Sequence, residues 1–314
     1  MNRKIFLLIL FIFLGFSGWF ILDPPGRNPS AQSLDLVYYS DYFSFVGKDD
    51  HGSVAFAMDN NRGKDGNRYQ AEHFLVFYDE QEGWVELSGN GRYENKNKEL
   101  KGIPDSFYYK FSGSPAKGFV IKSGENGLTL RIKPITIRLT RSDKEGLYRM
   151  GSSDALLEWK DRTIKGRIIY EYLYKTNFNR LTRGSAGVFK DFHGIYLRVN
   201  EGGDLYFHHR RGKPSSITIN QDGFLFLNGQ TIVLPFSKVT ASKYRQGFGF
   251  YRWPMAWKGK ISFGGEPAIV EIDIEKFKVI KTWIIGGFAM GIVRGTLQVG
   301  EVRYPLYGFA ELII

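Results

Sequence analysis

Cysteine is absent from all 314 residues. That absence excludes disulfides, thiolate metal sites, a thiol nucleophile and a lipoprotein-type cysteine together. The chain also lacks G-x-S-x-G, H-E-x-x-H, the phosphate-binding G-x-x-x-x-G-K-[ST] and a dinucleotide fingerprint following a strand, which removes the usual local signals for hydrolases, zinc peptidases and nucleotide enzymes. "WIIGGFAMGIVRG" near the end is Gly-rich but apolar, and reads as a closely packed buried strand. Helix-turn-helix, zinc-finger and RNA-binding aromatic patterns are missing too, so no nucleic-acid partner is expected. Histidine is scarce, at 5. Three of these fall in "HGIYLRVNEGGDLYFHHRR": His193, His208 and His209. His208 and His209 are adjacent, and neighbours on a strand point to opposite faces, so together they make a poor chelate. No metal and no cofactor is implied.

What the chain does have is aromatic residues, 16% of the total, and 37 glycines spread among short alternating runs. That mixture favours an all-β fold. In the histidine stretch, Ile195, Leu197 and Val199 alternate with Tyr196 and Arg198. Asn200-Glu201-Gly202-Gly203 supplies turn chemistry, and Leu205 and Phe207 resume the alternation, which together predict a hairpin. "SVAFAMD" and "EHFLVFYD" read as strands on either side of a loop rich in Asn, Gly and Lys. In "LTLRIKPITIRLTR" the parity of the apolar residues slips at Pro134, which predicts a bulge that bends one long strand. Bent strands close barrels.

The one long apolar run lies at the start. Arg3 and Lys4 precede Ile5 to Leu22, and Asp23-Pro24-Pro25-Gly26 ends the pattern. The segment 1–26 therefore reads as a membrane anchor with its amino end in the cytoplasm, or alternatively as a cleaved signal peptide. Either reading exports the rest, to the outer face of the cytoplasmic membrane or into a secreted pool. A polar linker, Arg27 to Ser33, follows. The net charge of +11 is spread along strands, as at Arg131, Lys133 and Arg138, which fits a solvated basic exterior with some attraction to anionic lipid.

The chain also echoes itself. "LEWKDRTIKGRIIYEYL" and "LQVGEVRYPLYGFAELI" pair Leu157 with Leu297, Asp161 with Glu301 and Glu171 with Glu311. This divides the exported part into domains at 34–174 and 187–314, with the boundary in "KTNFNRLTRGSAG".

Several segments in this order, "SDYFSFVGKDDHGSVAFAM", "HFLVFYDEQEGW", "TIKGRIIYEYL", "VNEGGDLYFHHRR" and "GFAELI", resemble a two-domain lipocalin-like family. That family includes the carotenoid 1,2-hydratases (hydroxyneurosporene synthases), the AttH-type bacterial proteins and the tocopherol cyclases. Where it often has Trp-Trp-Tyr at the start of its first strand, this chain has Asp41-Tyr42-Phe43. The resemblance implies two tandem calycin antiparallel β-barrels and a hydrophobic ligand, isoprenoid or lipid.

Candidate sites follow from the chemistry such a ligand needs. "GFGFYRWPMAW" gathers Phe248, Phe250, Tyr251, Trp253, Met255 and Trp257, an apolar lining or lid, since Gly247, Gly249 and Pro254 make a poor regular strand. An enzyme that hydrates or cyclises an olefin needs a protonated acid, and a carboxyl group in an apolar pocket supplies one. Glu171 between Tyr170 and Tyr172, and Asp191 beside Phe192 and His193, are the first settings of that kind; Glu72-His73 and Asp41 are further ones. His193 shares the parity of Ile195 and Leu197 and so faces a cavity. The leading expectation is a binder or carrier of a hydrophobic molecule. The alternatives are an isoprenoid hydratase or cyclase, and a protein docking on anionic lipid or glycan.

Overall fold

In the computed structural model the described residues are 35–144, 146–179, 181, 189–199, 202–212, 222–235, 239–247, 251–283 and 286–314. The apolar segment at 1–26 lies outside them, as do Phe248 and Phe250. Among the described residues no helix is long and apolar enough to cross a membrane.

These residues form two antiparallel sheets. The first contains β1 (Leu36–Asp49), β2 (Gly52–Asp65), β3 (Arg68–Asp79), β4 (Gly83–Val85), β5 (Gly91–Glu94), β6 (Lys110–Ser114), β7 (Gly118–Ser123), β8 (Leu128–Ile132), β9 (Thr136–Asp143), β10 (Gly146–Trp159) and β11 (Arg162–Thr176). The second contains β12 (Phe189–Val199), β13 (Gly203–Gly212), β14 (Asp222–Leu227), β15 (Gln230–Pro235), β16 (Val239–Gln246), β17 (Arg252–Phe263), β18 (Glu266–Trp283), β19 (Gly286–Val299) and β20 (Val302–Ile313).

The strand orders are β4-β3-β2-β1-β11-β10-β8-β7-β6 and β15-β14-β13-β12-β20-β19-β18-β17-β16, so the second sheet repeats the first. In this correspondence Glu171, opposite Tyr42 and Met150, takes the place of Glu311, opposite Gly194 and Met290. The internal echo is therefore structural.

The slip at Pro134 also has its counterpart. β8 ends at Ile132, opposite Ala155, and β9 resumes at Thr136, opposite Ser152, so the stretch through Pro134 holds one residue more than β10 does. At the matching place β18 runs on but shifts register between Ile274 and Lys276. Each sheet bends there, and Pro134, which lacks a donor for the ladder, accounts for the complete break in the first.

Apolar residues on both faces of the strands explain how the two sheets combine. Phe43 and Phe45 on β1 join Phe56, Phe77, Trp159 and Tyr170 in a core enclosed by the first sheet. Tyr42 and Val46, of opposite parity, join Tyr148, Met150, Tyr196, Tyr206, Met290 and Phe309 in a core between the sheets. A third core, within the second sheet, holds Ile195, Leu205, Phe207, Trp253, Trp257 and Leu297. Burying each such side chain contributes about 1.5–3 kcal/mol. The sheets are also joined by Arg167, whose Nε and Nη2 donate to the two carboxylate oxygens of Asp204 at 2.8 and 2.6 Å.

The expected loop between "SVAFAMD" and "EHFLVFYD" is mostly strand. β2 continues to Asp65 and pairs along β1 as far as Leu36, and the reversal is confined to the residues between Asp65 and Arg68. Asn60, Asn61 and Arg62 are buried there despite their polarity: Asn60 Nδ2 donates to the Asp41 carbonyl on β1, and Arg62 donates to carbonyls of the 95–104 loop.

Candidate functional site

The predicted hairpin is present, with Val199 opposite Gly203 and Gly202 in its turn at φ +90°. His208 and His209 do diverge. His208 is fully buried on the face between the sheets, its Nδ1 2.9 Å from the Tyr206 hydroxyl. His209 pairs across the ladder with His193, ring centroids 5.5 Å apart, on the other face. Among the described residues no group of three or more His, Asp or Glu side chains is placed to hold a metal.

Strand alternation separates the predicted carboxylate from its aromatic neighbours. Tyr170 and Tyr172 line a pocket in the first sheet, whereas Glu171 turns to the face between the sheets. There it accepts hydrogen bonds from the hydroxyls of Tyr196 at 3.2 Å and Tyr206 at 3.3 Å. Tyr42 lies on the same face, its phenol pushed well up by burial and then by Glu311. Glu171 thus helps to hold the halves together and does not line the pocket. Asp191 lies on β12, its backbone opposite Arg211; its side chain is outside the described residues. His193 faces the core of the second sheet, 6.2 Å from Trp257 between ring centroids. Glu171 and His193 are therefore not brought together at the pocket, whereas Asp41, one of the further sequence-predicted acids, lines it.

Trp253 and Trp257 are each 2% exposed in that same core, with Tyr251 and Met255 packed against it. The segment from Arg252 is regular strand, unlike the lid expected from its composition. Pro254 is accommodated because β17 pairs with β18 only from Ala256 onwards, leaving one side without a ladder to interrupt.

The pocket itself measures about 750 Å³ and lies in the first sheet. Its walls are Phe111, Phe119, Ile135, Ile137 and Tyr172, and Lys101, Gly102, Ser112 and Arg149 stand at its exposed rim. At its buried end are Asp41, 4% exposed, and Tyr170, 1% exposed. Asp41 sits on β1 beside Phe43, and its cross-strand neighbours are Tyr172 on β11 and Asn60 on β2.

The Tyr170 hydroxyl donates to Asp41 Oδ1, and Arg62 Nη1 pairs with Asp41 Oδ2 at 2.6 Å. Arg62, fully buried, also donates to the carbonyls of Leu100 at 2.8 Å, Asn60 at 3.2 Å and Lys101 at 3.1 Å. One guanidinium therefore ties the loop that lines the pocket to the acid at its floor.

Burial, and after it the charge of Asp41, pushes the Tyr170 phenol far up and the Tyr172 phenol up to about 12. Both stay protonated at neutral pH, as donors and not as bases. A carboxylate offers about four acceptor sites, of which Tyr170 and Arg62 use two. The floor can accept a hydrogen bond from one hydroxyl of a ligand whose body lies against the aromatic walls. Nearby His73 lies outside the pocket lining, within 2.7 Å of the Tyr93 hydroxyl, and burial followed by Arg62 pushes it down to about 4.

Asp41 was legible in the sequence as one acid among several. Arg62 was not, because its Asn/Gly/Lys surroundings resemble a loop. Tyr170 stood beside a predicted residue, and strand parity was the signal that separated the two.

No protein-family model and no curated protein sequence matches the chain. Solved structures do. A protein assigned as AttH from Nitrosomonas europaea superposes with a TM-score of 0.58 at 10% identity, over 92% of this chain and 98% of that one. Kievitone hydratase from Nectria haematococca gives 0.58 at 10% identity, over 87% and 88%. The likeness is one of fold. It spans both sheets, and it agrees with the tandem lipocalin-like architecture expected from the sequence.

Proposed function

We propose that the chain binds a hydrophobic organic molecule, isoprenoid or lipid in type, in the pocket of its first sheet. The supporting observation is the pocket's gradient: aromatic and aliphatic walls leading from an exposed rim to the buried Asp41–Arg62–Tyr170 trio. One structural neighbour is a hydratase by name, which keeps olefin hydration as the second reading. Binding is the better supported. Protonating an olefin needs an acid that gives up its proton, and here Tyr170 is held protonated by burial and Asp41 is engaged by Arg62.

The test is fluorescence titration with cis-parinaric acid and its neutral methyl ester, polyenes whose emission rises in apolar surroundings. The full chain should enhance both. Ala116→Trp at the rim and Ile135→Trp at the wall should each weaken binding about tenfold by filling the space, while the circular dichroism spectrum is retained. Folded variants that bind like the wild type, or a wild type that enhances neither probe, would remove this reading.

The same proposal puts the protein on the exported side of the cytoplasmic membrane, supported by Arg3-Lys4 ahead of Ile5 to Leu22. Protease added to spheroplasts should digest the folded part, leaving a membrane-bound amino-terminal fragment. Protection of the whole chain, or its recovery as a soluble mature form, would contradict anchoring there.

A further inference from the structure

The pocket rim carries two exposed cations, Arg149 and Lys101, against one exposed acid, Glu99. Arg149 projects from β10 on the pocket side, because its cross-strand neighbour Tyr172 lines the same space while Tyr148 and Met150 turn to the core between the sheets. Lys101 stands in the loop held by Arg62. Both are exposed, and among the described residues neither lies within ion-pair distance of a carboxylate. Several other basic side chains of the first sheet do have acid partners: Arg131 has Glu158 at 3.3 Å, Lys133 has Asp154 at 3.3 Å, and Arg167 has both Asp154 and Asp204 at 2.6 Å. The rim's own acid, Glu99, turns back into its loop and accepts the Gly102 N–H at 2.8 Å. Two cations without a partner thus stand at the wet end of an apolar pocket whose single buried acid is already matched by Arg62.

We propose that the ligand is an amphiphilic anion, bound tail-first. Its carboxylate or phosphate head lies between Arg149 and Lys101, and its hydrocarbon body runs along Phe111, Ile137 and Phe119 towards Tyr170. The orientation follows from desolvation. The head stays at the exposed rim, where its charge remains partly hydrated, and the apolar part takes the buried end. The opposite orientation would press an anion against the Asp41 carboxylate. The net positive charge of the chain favours the encounter.

This inference rests on the pocket-binding reading, and the experiment separates the two. cis-Parinarate should bind the full chain about tenfold more tightly than its methyl ester at low salt, because partly exposed ion pairs with two cations contribute up to about fivefold each. That preference should shrink as salt is raised. In the Arg149→Ala/Lys101→Ala variant the acid-over-ester ratio should fall to within about twofold. Displacement of the probe by laurate and by dodecyl phosphate then distinguishes a carboxylate head from a phosphate head, and preferential displacement by either supports the proposal. Acid and ester binding alike in the wild type, or a ratio unchanged in the double variant, overturns the anionic head and leaves the pocket reading standing. Absence of binding by both probes overturns the two together.

Discussion

Replacing Arg62 with alanine is expected to lower the unfolding free energy by about 3–5 kcal/mol, the usual cost of removing one partner from a buried ion pair. Arg62 is fully buried and its contact with Asp41 is 2.6 Å. Alanine would leave Asp41 facing Tyr170 with no counter-charge, and would strip donors from the carbonyls of Leu100, Asn60 and Lys101. Urea unfolding followed by circular dichroism measures the loss. The double replacement Asp41→Leu/Arg62→Met should be less destabilised than Arg62→Ala, since it removes both charges and keeps most of the volume. The loop lining the pocket should also loosen in Arg62→Ala, so probe affinity and stability should fall together. A single variant within about 1 kcal/mol of the wild type would mean that water reaches the pair, and that the trio is no fixed floor.

Truncating Trp257 to alanine should cost about 3–5 kcal/mol as well, by a different mechanism. Its indole is 2% exposed, packed within the second sheet's core beside His193, and alanine would leave a cavity there. Trp253, wedged 5.5 Å from Phe277 and 5.6 Å from Tyr251 between ring centroids, should behave similarly. From composition alone these residues read as a ligand lining, for which truncation would weaken binding and spare the fold. The melting temperature and the parinarate titration decide between the two. A lower melting point with probe affinity retained in the surviving folded fraction supports the core assignment. An unchanged melting point with lost binding supports the lining.

Both variants bear on how far the sequence could be read. Period-two alternation, turn glycines and the slip at Pro134 made the strands, the hairpin and the bend legible, because each depends on neighbours a few positions away. The echo around Glu171 and Glu311 made the repeat legible, and the two sheets carry the same strand order. Asn60 to Arg62 were misread because their polarity signals a loop until β1 and the 95–104 segment are brought against them.

The sequence by itself determined that the chain is β-rich, repeated and without thiol chemistry, and that His208 and His209 diverge. Tertiary structure alone decided which face of each strand meets the pocket. Most strands here are apolar on both faces, so alternation distinguishes one face from the other without saying which is which. Curling of the first sheet put Tyr170 and Tyr172 inside, and packing of the second sheet against it claimed Glu171 for the Tyr196 and Tyr206 hydroxyls. Asp41 and Arg62, 21 positions apart in the chain, became a pair because β1 and β2 are neighbours and a buried charge requires its opposite.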